Sequence, residues 1–131
     1  MIGAAAVADF RPVTTAPGKL RRGGNLTLEL EPTSDILAQV ITRRVPGTLV
    51  IAFAAETEDI LANGRAKLQR KGAEAIFVND VSQPGQGFDA DNNAGFWITD
   101  SEAIEFHPAA KRLIAKEILS RAAALKRLQT A

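Results

Sequence analysis

Two lysines four residues apart, Lys67 and Lys71 in AKLQRKG, are the first pair in this 131-residue chain whose spacing suggests chemistry. On a helix that spacing puts both on one face, about 6 Å apart. Ammonium groups so close repel each other unless an anion lies between them, and a phosphate suits that place. The same pair also reads as two bases answering the negative end of a helix dipole, with no ligand involved. A second basic group, Lys19, Arg21 and Arg22, lies in a loop flanked by Pro17, Gly18, Gly23 and Gly24. It fits a mobile lid over a polyphosphate, and equally a solvated charge cluster. Asp9 follows an apolar run at residues 2–8, where it can bond a ribose hydroxyl or base edge, or cap its own turn.

The stretch NDVSQPGQGFDADNN, residues 79–93, collects amides, carboxylates and glycines between two apolar segments. Loops in compact domains are usually about 4 to 6 residues long, so one this long is expected to be functional. Its oxygen ligands evoke calcium, but the closing glutamate of an EF-hand loop is missing. The side chains are expected to brace the loop through bonds to its own backbone, with the glycines permitting positive φ. His107, before Pro108, is expected only to pack or to cap a following helix.

The bulk composition excludes several classes. A chain 46% hydrophobic and 24% charged is ordinary for one globular domain, here taken as residues 1–131. Sixteen basic against fifteen acidic residues give a net charge of +1, which asks for neither nucleic acid nor an anionic membrane. Without cysteine there is no disulfide, thiolate metal site or thiol nucleophile, and one histidine cannot make a histidine-rich metal site. No apolar run reaches the roughly 18 residues of a membrane span. MIGAAAVA lacks the basic n-region of a signal peptide. The chain reads as cytosolic.

The elements that must position these residues follow from periodicity. Residues 2–8 read as a buried parallel strand whose neighbours on both sides the chain has had no room to supply, as if the sequence began inside a domain. Leu26, Leu28 and Leu30 alternate with polar residues, the pattern of a half-buried strand. Ser34 is expected to cap a helix over 35–43, with Ile36, Leu37, Val40 and Ile41 on its apolar face. Residues 48–54 read as a second buried strand. Thr57 is expected to cap a helix over 58–71, with acids in its first turn and Gly72 as its stop. Strands are expected at 75–78 and 95–99, with 103–106 returning as a hairpin. A closing amphipathic helix starts near Ala109, with Leu113, Ile114, Ile118, Leu119, Leu125 and Leu128 apolar and Arg121 among its polar residues. This alternation predicts an α/β, Rossmann-like, doubly wound and mostly parallel sheet, incomplete at its N-terminus, with a C-terminal helix. Ligands of such sheets sit beyond the carboxyl ends of the strands.

In order, AAAVADFRP, the lysine of PGKLRRG, SDIL, IAFAAETED, AKLQRKG, NDVSQPGQGF and DNN resemble the phosphopantothenoylcysteine synthetase family, also called phosphopantothenate-cysteine ligase. This domain is usually the C-terminal half of a bifunctional flavoprotein of coenzyme A synthesis. The resemblance runs over residues 3–121. It implies joining of 4'-phosphopantothenate to L-cysteine with CTP and Mg2+, through an acyl-CMP intermediate. Separately, the apolar run at residues 2–8, left without neighbours, predicts that the chain dimerises, rearranges or aggregates, with a homodimer expected. By position the resemblance implies nucleotide contacts from Ala5, Asp9, Phe53, Lys67 and Lys71, and a lid role in catalysis for Lys19. The segment Ser34, Asp35, Ile36 and Leu37 aligns with a nucleotide-contacting stretch, although Ser34 stands where the family has proline. The 79–93 loop becomes a family motif beside the nucleotide and pantothenate pocket, and no metal ligand is implied.

The family's Gly-Gly-Thr phosphate loop and its Asn-x-Ser-Ser-Gly segment do not occur in these 131 residues. Two readings follow. One is the nucleotide-binding part of the ligase, active only when the missing motifs are supplied. The other is a truncated, non-catalytic domain that binds nucleotide or self-associates. A dehydrogenase is a distant third, because no dinucleotide fingerprint is present.

Overall fold

The computed structural model describes residues 1–82 and 90–130. Two compact units make up the chain: Met1–Ala4 with Leu37–Ala131, and Ala5–Ile36.

The larger unit is built on a five-stranded sheet. Its strands are β1 (Ile2–Gly3), β4 (Ile51–Glu56), β5 (Ala75–Asp80), β6 (Asn92–Ile98) and β7 (Ala103–Ala110), hydrogen-bonded in that order. The first two pairings are parallel and the last two antiparallel. Helices α1 (Ile36–Arg43) and α2 (Ile60–Lys71) lie in the two crossovers, and α3 (Lys111–Thr130) follows β7 directly.

Side-chain alternation along β4 and β5 divides the core in two. Ile51, Ala75 and Phe77, with Trp97 and Phe106, face Ile114, Ile118 and Ala122 of α3. Ala52, Ile76, Val78 and Ile98 face Leu68 of α2, with Leu37 of α1 packed alongside. Helices on both faces of a mixed sheet, parallel through β1, β4 and β5, are the doubly wound arrangement expected from the alternation of apolar runs.

Close approaches explain two glycines. A Cβ on Gly64 would lie 2.5 Å from Ile98 Cδ1, so α2 lies tight against the sheet only with glycine there. On Gly95 it would lie 2.0 Å from the Val78 carbonyl oxygen, inside the β5–β6 pairing. Next to Gly95 the β6–β7 register shifts: Asn93 pairs with Ala109 but Gly95 with Phe106. The extra residue falls around His107 and Pro108, and a bulge on an edge strand is where a residue without an N–H is tolerated.

Several expected boundaries need correction. Residues 2–8 are not a buried strand: only Ile2 and Gly3 pair, and residues 4–8 are exposed. Strand β1 has a partner on one side only, β4, so nothing in the described sheet covers the run. The helix expected from Glu58 starts at Ile60 with no acid in its first turn. Its N-cap is Asp59, in the left-handed region at φ 44, rather than Thr57. Helix α1 likewise starts at Ile36, leaving Ser34 two residues outside it. Gly72 does stop α2, at φ 68, its N–H bonding the carbonyls of Leu68 and Gln69. Strand β4 starts three residues later and ends two later than expected, at Glu56, and β7 runs on past Phe106 to Ala110. His107 therefore lies on that strand, exposed, with Nδ1 3.5 Å from Glu105, and neither packs nor caps.

Helix α3 buries a narrower stripe than expected. Ile114, Ile118 and Ala122 are inside, whereas Leu113, Leu119 and Leu128 are exposed. Arg121 is not on the polar side. Seven residues after Ile114, it is in line with the buried stripe, and its guanidinium sits 5.6 Å from the Phe106 ring centre.

The smaller unit carries a two-stranded antiparallel ribbon, β2 (Phe10–Pro12) and β3 (Leu30–Pro32). Arg11 and Glu31 are direct cross-strand partners, and Arg11 Nε donates to Glu31 Oε1 at 2.8 Å. The alternation of Leu26, Leu28 and Leu30 does not report half-burial: all three are exposed, and only Leu30 lies in a strand. Two strands present no second layer on which an apolar face could be buried.

Candidate functional site

Six of the ten residues singled out from the sequence fall in the smaller unit: Ala5, Asp9, Lys19, Ser34, Asp35 and Ile36. All six are exposed. Asp9 is held at its backbone. Its carbonyl accepts a bond from the Thr33 N–H at 2.8 Å, and the Thr33 hydroxyl donates to the carbonyl of Ala8. One threonine thus fixes two successive peptide units and leaves the Asp9 carboxylate directed by a braced backbone. Lys19, Arg21 and Arg22 lie in the exposed connection between β2 and β3.

The other four, Leu37, Phe53, Lys67 and Lys71, belong to the larger unit. Leu37, on α1, is half-buried, and its Cδ1 would lie 2.9 Å from a Cβ on Gly3, so the helix packs directly over β1. Phe53, on β4, is half-buried against Phe77, with ring centres 5.6 Å apart and planes at 50°. Lys67 and Lys71 fall in the last two turns of α2, both half-buried.

The Lys67 ammonium forms an ion pair with Glu56, the last residue of β4. Glu56 is 15% exposed and Lys67 31%, so solvent screens the pair only partly. Among the described residues the Glu56 Oε1 atom is shielded and has no ordinary hydrogen bond, and it is the lysine charge that answers it. Strand alternation puts Phe53 and Glu56 on opposite faces, Phe53 toward α3 and Glu56 toward α2. Lys67 is thereby fixed at the carboxyl end of β4, where open α/β sheets bind ligands. Phe53 lies three residues earlier on β4 and faces the other side, against Phe77.

Beside Glu56, β5 ends in Asn79 and Asp80, with Asp80 the register partner of Glu56. Asp80 Oδ1 accepts bonds from the Ser82 N–H at 2.9 Å and its hydroxyl at 2.6 Å, the local bracing expected of this loop. Asn93 Nδ2 donates to Asn79 Oδ1 at 2.6 Å, joining the start and finish of the 79–93 stretch. Residues 83–89, including the PGQGF portion and Asp89, lie outside the described residues. Sequence reasoning missed both Glu56 and the Asn79–Asn93 bond. The available sign for the first was an acid ending an apolar strand, one connection before a helix with two lysines on one face.

Among the described residues no three histidine or acidic side chains cluster as a metal cage. Nor, among them, is any helix long and apolar enough to cross a membrane.

Against known proteins, residues 1–125 match the family model described as DNA/pantothenate metabolism flavoprotein C-terminal domain. The chain is 39% identical over 128 residues to the coenzyme A biosynthesis bifunctional protein CoaBC of Escherichia coli K12, covering 92% of this chain and 32% of that protein. It is 38% identical over 118 residues to a cysteine/cysteine sulfinic acid decarboxylase from an unknown prokaryotic organism, covering 88% of this chain and 33% of the other. Among solved structures, it is similar to the C-terminal domain of a CoaBC protein, with a TM-score of 0.69 at 30% identity, covering 97% of this chain and 53% of that one. The chain therefore spans about a third of the length of the curated relatives it matches.

Proposed function

Because the chain belongs to the DNA/pantothenate metabolism flavoprotein C-terminal domain family, within coenzyme A biosynthesis, we propose that it carries the nucleotide-binding part of a phosphopantothenate-cysteine ligase. In this reading the carboxylate of 4'-phosphopantothenate attacks the α-phosphate of CTP, releasing pyrophosphate and forming an acyl-CMP. The amine of L-cysteine then displaces CMP and forms the amide.

The observation that carries this reading is Lys67 held at the carboxyl end of β4 by Glu56. Phosphate binding there needs a positive charge already in position, because a fixed cation costs no reorganisation when negative charge builds up. Lys71, one turn along α2, adds a second cation to the same helix face. By the family resemblance Ala5, Asp9, the segment Ser34, Asp35, Ile36 and Leu37, and Phe53 would each contact the nucleotide. Lys19 would close over the acyl-CMP and exclude water, which otherwise hydrolyses a mixed anhydride.

Mg2+ suits this set as a companion of the nucleotide. It keeps several waters and needs only one or two carboxylates besides phosphates. Glu56 and Asp80, neighbours across β4 and β5, are already held by Lys67 and Ser82, so the nucleotide phosphates and water would carry the ion. When bound, the ion would neutralise phosphate charge.

A homodimer is part of the proposal. It is supported by the exposed apolar residues of the smaller unit, Val7, Phe10, Leu20, Leu26, Leu28 and Leu30. Sedimentation at several concentrations tests it, and a monomer throughout counts against it.

A second reading is binding without turnover, in which these residues hold the nucleotide and do not complete the ligase site. Incubation with CTP, Mg2+, 4'-phosphopantothenate and L-cysteine separates the two. Formation of phosphopantothenoylcysteine with matching pyrophosphate supports the ligase, and nucleotide binding without product supports the second reading.

A further inference from the structure

The geometry points to Glu56 as a positioning residue for Lys67. We propose that its carboxylate fixes the ammonium that receives the nucleotide phosphates. The inference rests on the nucleotide-binding reading above and adds a residue to it.

A lysine side chain has four rotatable bonds and a compact, strongly hydrated charge, so an untethered one surveys many positions. Lys67 is tethered. Its ammonium meets the shielded Oε1 of Glu56, and Glu56 ends a strand whose preceding residues Ile51 and Ala52 are fully inside the core. An ammonium has three N–H donors, and one carboxylate oxygen cannot use them all. The remainder can serve a phosphate beyond the strand end.

Two observations separate Glu56 from an incidental surface ion pair. It spends its charge on Lys67, whereas its register neighbour Asp80 is occupied by Ser82. The pair also joins two rigid elements: β4 pairs with strands on both sides, and α2 seals its Leu68 and Gly64 against the sheet. An ammonium held between such elements is set within narrow limits, which is what preorganised binding of an anion requires.

The test is a double-mutant cycle read by calorimetric titration of the chain with CTP and Mg2+. The variants are Glu56→Ala, Glu56→Gln, Lys67→Ala and the doubles of each Glu56 change with Lys67→Ala, all checked for folding by circular dichroism. Glu56→Ala is expected to weaken CTP binding at least fivefold, Glu56→Gln less, and neither to cost anything further in the Lys67→Ala background. A merely structural role would leave the losses additive. If Glu56→Ala fails to fold, the near-isosteric Glu56→Gln carries the cycle. Unchanged or tighter binding in the Glu56 variants, or additive losses, overturns the proposal while Lys67→Ala still weakens CTP. If Lys67→Ala itself leaves CTP binding intact, the nucleotide-site reading falls, and this proposal with it.

Discussion

Asn93 donates its side-chain amide to the side-chain carbonyl of Asn79 at 2.6 Å, across the neck of a stretch whose middle is rich in glycine and proline. Its own carbonyl accepts the Ala94 N–H at 3.0 Å, so the amide orientation is set by two bonds at once. Asn79→Ala and Asn93→Ala are each expected to destabilise the chain by about 1–2 kcal/mol. The double variant should lose less than the sum, with a coupling of about 0.5–1.5 kcal/mol in urea unfolding. Strict additivity would mean that the bond contributes nothing.

Glycine has different reasons at two positions, and the cost of alanine should rank them. At Gly95 a Cβ would meet the Val78 carbonyl at 2.0 Å, and backbone cannot move aside without breaking the β5–β6 ladder. Gly95→Ala is expected to cost about 3 kcal/mol or more. At Gly72 the nearest atom is 3.8 Å away, and only φ 68 resists a side chain. Gly72→Ala should cost about 1 kcal/mol. Thermal melts of the two variants check the order, and equal losses would contradict it.

Arg121 lies over the Phe106 ring and pairs with Glu117 at 2.9 Å, beside a groove of about 260 Å³ between β7 and α3. Arg121→Ala is expected to destabilise by about 1 kcal/mol, chiefly through lost contact with the ring. Glu117→Ala removes an i,i+4 partner that is half exposed and should cost less, about 0.3–0.5 kcal/mol. Chemical denaturation of both variants distinguishes packing from charge.

The sequence was legible where periodicity and burial agree. Residues 51–54, 75–78 and 95–98 are strands whose side chains are buried or half-buried on both faces, and their order was enough to announce a doubly wound sheet. The family resemblance read from FAAET and NDVSQPGQGF is borne out by the match over residues 1–125. Periodicity misled where no partner completes the packing. Leu26, Leu28 and Leu30 alternate as a half-buried strand does, yet a two-stranded ribbon leaves them exposed. Arg121 reads as polar-face charge because composition cannot reveal the ring beneath it. Lys67 was visible from its spacing to Lys71, whereas Glu56 was not, because the pair forms only when the β4–α2 crossover folds back. Asp59 taking the N-cap of α2 in a left-handed conformation is likewise a product of that connection.

In the proposed function Lys67, held by Glu56 at the carboxyl end of β4, binds the nucleotide, and Lys71 adds charge one turn further along α2. The most direct test is calorimetric titration of the chain with CTP and Mg2+, with ATP for comparison and the Lys67→Ala, Lys71→Ala double variant as control. Saturable CTP binding that weakens at least tenfold in the folded double variant is the predicted result. Undiminished binding in that variant, or no binding by the folded parent chain, would contradict the claim.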